Sequence, residues 1–215
     1  VVDGPFGKMM HAKLQDKGMI GLTYWELGFR NMTNSKRPIN TVADLAGLKI
    51  RVIPNPINLD WVKALDANPT PMAFPEVYAA LESKALDGQE NPLSVVLANK
   101  FFEVQKHLTL TNHQYNPQSV IISKTFWDKL NAAEKKLIGD AAVEAGKYQR
   151  QVAREAATTA LDTLKKAGMQ VTELPPAEMD KLRDKMRPVI AKYAVSVGQE
   201  TVQAMQAELA KARAK

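Results

Sequence analysis

Two arginines stand inside otherwise apolar runs. Arg51 lies within "LKIRVIP", where its neighbours Ile50 and Val52 face the other way in a strand, and Arg30 closes "YWELGF". A guanidinium in apolar surroundings is costly unless it meets an anion. An internal Asp or Glu would serve, and so would a ligand carboxylate gripped by the planar guanidinium fork. The stretch "ALDGQENPL" adds an amide, Asn91, so that Arg51, Arg30 and Asn91 compose a candidate anion clamp. Glu26, four residues before Arg30 and beside Trp25, could accept hydrogen bonds from the hydroxyls of a polyhydroxylated acid. Its plainer role is to neutralise Arg30 or Arg37.

The same polar stretch raises an acid/base reading for Asp87 and Glu90. Three residues apart in a strand, they point to opposite faces and make no obvious pair. A hydrolase built on Asp87 or Glu90 therefore stands as the rival enzymatic reading, without a complete constellation. His107 and His113, six residues apart, share a strand face, while His11 lies on the opening helix. No carboxylates accompany the histidines at ligand spacing, so no metal site is expected. No phosphate loop, dinucleotide fingerprint or H-E-x-x-H is present, and no serine sits in a nucleophile elbow. No cofactor is therefore expected.

The elements that must hold these residues alternate. "DGPFGKMMHAKLQDKG" reads as a helix stopped by Gly18, and "MIGLTYWELGF" as a buried strand. "NMTNSKRPIN" reads as a polar loop, and "TVADLAGLKIRVIP" as a short helical turn leading into a strand at Leu48–Ile53. Helices follow at "NLDWVKALDA", "PEVYAALES" and "PLSVVLANKFFEVQ", with extended segments at "PTPMAF" and "ALDGQEN" between them. "HLTLTNH" and "SVIIS" read as two further strands. This alternation predicts an α/β fold, in which ligands sit outside the carboxyl ends of strands. Residues 131–167 lack proline and predict one helix about 50 Å long, enough to bridge two lobes. Gly139 and Gly146 interrupt it at a cost of roughly 1 kcal/mol each. A strand at "GMQVTEL", a helix from "PPAEMDKLRDKM" and a polar amphipathic tail complete the chain.

The chain of 215 residues is 45% hydrophobic and 24% charged, an ordinary globular balance. Without cysteine it has no disulfide framework, thiolate nucleophile or Cys-ligated zinc. A net charge of +6 and a pI near 9.4 admit a nucleic-acid module as another reading, but the basic residues are dispersed and form no run. No apolar stretch is long enough to span a bilayer. The chain opens at Val1 with no visible signal peptide, as a mature or truncated chain would.

"GLKIRV", "ANPTPMAFPEVYAALESKALDGQENPL" and "FFEVQKHLTLTNH" resemble the DctP family, the solute-binding proteins of TRAP (tripartite ATP-independent periplasmic) transporters. The similarity runs from Gly18 to Thr201 and is most specific over residues 47–113. It implies a two-lobed α/β periplasmic binding protein with hinge strands and a long helix crossing both lobes. It further implies capture of an organic acid in a cleft, delivery to a TRAP membrane permease, and a periplasmic location without nucleic acid or membrane insertion.

By the resemblance, Arg51 matches the arginine that pairs with the substrate carboxylate, and Arg30 a second cleft arginine. Asn91 matches the asparagine at the same carboxylate, Phe74 a cleft-wall aromatic, and Asn55 and His113 polar positions near the ligand. One extra residue in "RVIPNP" separates Arg51 from Asn55 relative to sialic-acid binders. The front of the family's first lobe has no counterpart in this chain. The expected lobes are 1–27 with 117–156, and 28–116 with 157–215. A sugar acid such as a hexuronate is the expected ligand, with a C4-dicarboxylate or another small carboxylate as the alternative.

Overall fold

The structure is a computed structural model and describes residues 1–214. In chain order the elements are α1 (Pro5–Leu14), β1 (Met19–Asn34), β2 (Lys49–Val52), α2 (Pro56–Ala64), β3 (Asn68–Pro71), α3 (Val77–Glu82) and β4 (Gly88–Pro92). They continue with α4 (Leu93–Ala98), β5 (His107–Ser123), α5 (Lys124–Trp127), α6 (Ala132–Lys166), β6 (Gln170–Glu173), α7 (Pro176–Val197) and α8 (Gln199–Arg213). The sheet order is β3-β2-β4-β1-β5-β6. The chain forms two compact units, and β1, β5 and α6 each begin in one and end in the other.

The second unit, Phe29–Tyr115 with Ala156–Ser196, carries β2, β3, β4 and β6. β2 runs parallel to β3 and β4, β5 parallel to β6, and β1 antiparallel to β4. Strand alternation sorts its apolar side chains into two cores. Met32, Ile50 and Val52 join Trp61, Leu182 and Val189 in one, while Leu108 joins Leu81, Val96, Phe101 and Leu164 in the other. The turn entering β2 is fixed by a capping box, with the Asp44 carboxylate accepting from the Thr41 amide at 2.8 Å.

The first unit, Val1–Gly28 with Asn116–Glu155 and the stretch from Val197, is organised around Tyr24. This buried phenol donates to the Gly7 carbonyl at 3.0 Å, and its ring stacks on His11 at 4.0 Å. Gly18 ends the opening helical segment at φ 74°, the left-handed conformation glycine adopts without penalty. α6 is started by reciprocal bonds between Asn131 and Glu134, at 2.8 and 2.9 Å. Gly146 is no passive interruption of this helix. A Cβ there would lie 2.8 Å from Thr23 Oγ1, so the glycine lets α6 approach β1.

Several expectations need correction. "NMTN" is strand rather than loop, because Asn31 and Thr33 find hydrogen-bond partners on the neighbouring strands, in Asn112 of β5 and Gln89 of β4. "HLTLTNH" and "SVIIS" are the two ends of one strand of 17 residues. The helix expected from "PLSVVLANKFFEVQ" is a six-residue helix followed by a 3-10 turn. The tail from Val197 belongs with the first unit rather than the second, because α8 packs on α1 and Thr201 accepts a 2.8 Å hydrogen bond from Lys13. Among the described residues no helix is long and apolar enough to cross a membrane.

Candidate functional site

β2 is the element that places Arg51. Ile50 and Val52 anchor its backbone in the core, and alternation turns Arg51 to the opposite face. The side chain is buried, yet no carboxylate among the described residues lies within 4.0 Å of its guanidinium. Instead Nε and Nη2 both donate to the Met72 carbonyl, at 3.0 and 2.7 Å. The Phe74 ring lies under the guanidinium, 5.7 Å from Cζ to the ring centroid, and packs on Phe101 at 6.1 Å. Burial lowers the Arg51 pKa, the Glu90 carboxylate raises it and the nearby Arg30 charge lowers it further. An arginine stays protonated through such a shift. The result is a fixed, buried cation held by one carbonyl and one aromatic face.

The register decides which polar residues can join it. Ile50 pairs with Gly88 across parallel strands, so Arg51 shares the face of Gln89 and Asn91. Asn91 Nδ2 donates to Gln89 Oε1 at 2.6 Å, Gln89 Nε2 donates to Thr33 Oγ1 at 2.8 Å, and Thr33 donates to Gln105 Oε1 at 2.8 Å. This chain fixes the amide orientation of Asn91, and its Oδ1 makes no hydrogen bond among the described residues.

Arg30 faces the other way. It pairs with Pro92 where Asn31 pairs with Asn91, which puts Arg30 and Asn91 on opposite faces of the sheet. Its Nε bonds Glu90 Oε2, and Nη2 donates to Glu90 Oε1 at 2.8 Å and to the Glu90 carbonyl at 2.5 Å. His113 completes the group, with Nε2 3.1 Å from Glu90 Oε2, Nδ1 2.7 Å from Thr111 Oγ1, and its ring 5.0 Å from Trp61. Burial pushes the Glu90 carboxyl up, but the bonds and charges of His113 and Arg30 outweigh it and hold the pKa below its ordinary value. The structure thus separates the expected clamp into two constellations, Arg51 with Asn91 and Phe74, and Arg30 with Glu90 and His113.

The remaining candidates have definite places. Asn55 caps α2, its Oδ1 accepting from the Ile57 amide at 3.1 Å. Glu26 belongs to the first unit, where its carboxylate accepts from Arg154 Nη2 at 2.8 Å. Arg37 donates to the carbonyls of Asp44 and Ala46. Asp87 accepts from the Lys49 amide at 2.9 Å, and Glu90 is committed to Arg30 and His113, so the two form no acid/base pair. The roles of Met72, Gln89 and Thr33 carried no sequence signal, the first because it acts through its backbone. No cluster of three His, Cys, Asp or Glu fit for a metal occurs among the described residues.

A buried guanidinium without a carboxylate partner, on the same sheet face as an oriented amide and against an aromatic ring, can chemically accommodate a carboxylate. The family model DctP, bacterial extracellular solute-binding protein family 7, matches residues 1–196. The chain belongs to this family. It is 44% identical over 193 residues to the 2,3-diketo-L-gulonate-binding periplasmic protein of Escherichia coli K12, covering 89% of this chain and 59% of that protein. A TRAP periplasmic solute-binding protein from Ochrobactrum anthropi superposes with a TM-score of 0.93 at 54% identity, over 100% of this chain and 67% of that one. The sugar acid binding protein of Advenella mimigardefordensis, solved with galactonate, gives a TM-score of 0.89 at 44% identity, over 94% and 66% of the two chains.

This DctP chain spans about three fifths of the length of the curated relatives it matches. Its α/β architecture is that of the TRAP solute-binding proteins. DctP proteins are transport receptors for small acids rather than enzymes, so the hydrolase reading of Asp87 and Glu90 falls away.

Proposed function

We propose that this DctP chain belongs to a periplasmic receptor that captures a sugar acid, of the hexuronate or aldonate kind, and delivers it to a TRAP membrane permease. The observation that carries the reading is Arg51, a buried guanidinium with no carboxylate partner of its own. A ligand carboxylate supplies the missing counter-charge. Asn91 adds a second polar contact, and Phe74 gives an apolar wall for the carbon chain. Arg30, locked to Glu90, contributes a cationic field and an edge for hydroxyls rather than a free fork. Asn55 and His113 act as neighbours of the ligand or its waters in the same reading. The sugar-acid preference draws support from the relatives named for diketogulonate and galactonate.

A thermal-shift screen of the protein against uronates, aldonates, C4-dicarboxylates and keto acids tests this, since a ligand that binds only the folded state raises the midpoint by mass action. A sugar acid should give the largest rise. A rise confined to dicarboxylates would move the assignment to that class.

A further inference from the structure

Four buried side-chain polar atoms lack a hydrogen-bond partner among the described residues: His11 Nε2, Asn34 Nδ2, His107 Nδ1 and Thr109 Oγ1. Three of the four fall in the second unit, on neighbouring strands. β1 and β5 are adjacent in the sheet. Asn31 Oδ1 accepts from the Asn112 amide and Thr33 Oγ1 donates to Gln105, so the two strands run in opposite directions.

They also share a face. Asn34 lies on the Met32 side of β1, and His107 and Thr109 alternate with Leu108 and Leu110, which enter the other core. Asn34 and Thr109 are fully enclosed and His107 is nearly so. Turning the Asn34 amide over does not remove the problem. Its Oδ1 accepts from the amides of Lys36 and Arg37, both at 2.9 Å, which fixes Nδ2 as the inward donor.

β5 presents a stripe of four polar residues, His107, Thr109, Thr111 and His113, on this face. The upper half is closed by protein groups, Thr111 to His113 to Glu90. The lower half is not. Buried polar atoms in native proteins are almost always paired with protein or with ordered water, and an internal water makes about three hydrogen bonds.

We propose that Asn34, His107 and Thr109 enclose an internal hydration site holding one ordered water. That water accepts from Asn34 Nδ2 and donates to Thr109 Oγ1 and to His107 Nδ1. The inward N–H of Asn34 disfavours a cation there. The arrangement requires the neutral His107 tautomer with its proton on Nε2. Burial lowers the His107 pKa and so favours a neutral ring, with the neighbouring Lys106 charge acting in the same sense. The site would tie β1 to β5 on this face.

A high-resolution crystal structure of the protein tests the site directly. The expected result is a water peak within roughly 2.7–3.2 Å of at least two of the three atoms. Direct bonds from Thr109 to Thr172 or from His107 to Gln170, their β6 neighbours in register, with no water between them, would overturn the proposal. Nitrogen chemical shifts of the His107 ring provide a second readout that needs no variant. An unprotonated Nδ1 at neutral pH is expected, and an Nδ1–H tautomer would contradict the site.

Discussion

Arg51 and Glu90 show how two buried charges in one unit can have opposite duties. Glu90 is fully spoken for, by Arg30 and His113, and truncating it would remove the buried carboxylate that both of them bond. Glu90→Ala is expected to lower stability by about 3–5 kcal/mol, measured by denaturant unfolding. The pair also sets a pH dependence. Because the folded Glu90 pKa lies below the ordinary carboxyl value, the unfolded chain takes up this proton first as pH falls. Its contribution is present above that value and is lost as pH falls through the lower folded pKa. Glu90→Gln should therefore flatten the loss of stability in that acid window, as followed by urea midpoints across pH.

At this scale the sequence was partly legible. An arginine in an apolar strand announced that an anion was needed, but not which one. Register assigned Glu90 to Arg30 and left Arg51 without a carboxylate, and register between distant segments cannot be read from composition. Asn55 is a second case, since a side chain that caps α2 looks in sequence like any polar residue near a site.

At the scale of elements, β1 and α6 show where local reading succeeds and where it stops. The length and capping of α6 follow from its composition and from Asn131 with Glu134. "NMTN" misleads because Asn31 and Thr33 find partners in Asn112, Gln105 and Gln89, all more than 50 residues away in sequence. The two helical glycines separate the same two kinds of information. Gly139 has no atom within 4 Å of its would-be Cβ, whereas Gly146 has Thr23 in close contact. Gly139→Ala should raise stability by up to about 1 kcal/mol through helix propensity. Gly146→Val should lower it by about 1–3 kcal/mol through overpacking. Thermal unfolding of the two variants side by side checks this, and equal shifts would refute the close approach of α6 to β1. Phe101 offers a related test in the second unit. It is buried and carries Phe74 on its ring, so Phe101→Ala is expected to cost about 3–5 kcal/mol and to loosen the aromatic face under Arg51.

For the molecule as a whole, the basic charge and alternating elements narrowed the class without naming a ligand. The second unit holds the Arg51 constellation and fixes it from the backbone outward, through β2, the Met72 carbonyl and the β4 amide chain. In the proposed reading, selectivity for acids comes from a counter-charge that the ligand supplies to Arg51. The central claim is that Arg51 supplies the counter-charge for the ligand carboxylate. Isothermal titration calorimetry of the protein and its Arg51→Ala variant, with the sugar acid that gives the largest thermal shift, tests it most directly. The account predicts a loss of roughly 2–5 kcal/mol of binding, about two to four decades in affinity. An Arg51→Ala protein that is folded and binds the acid with unchanged affinity would contradict it.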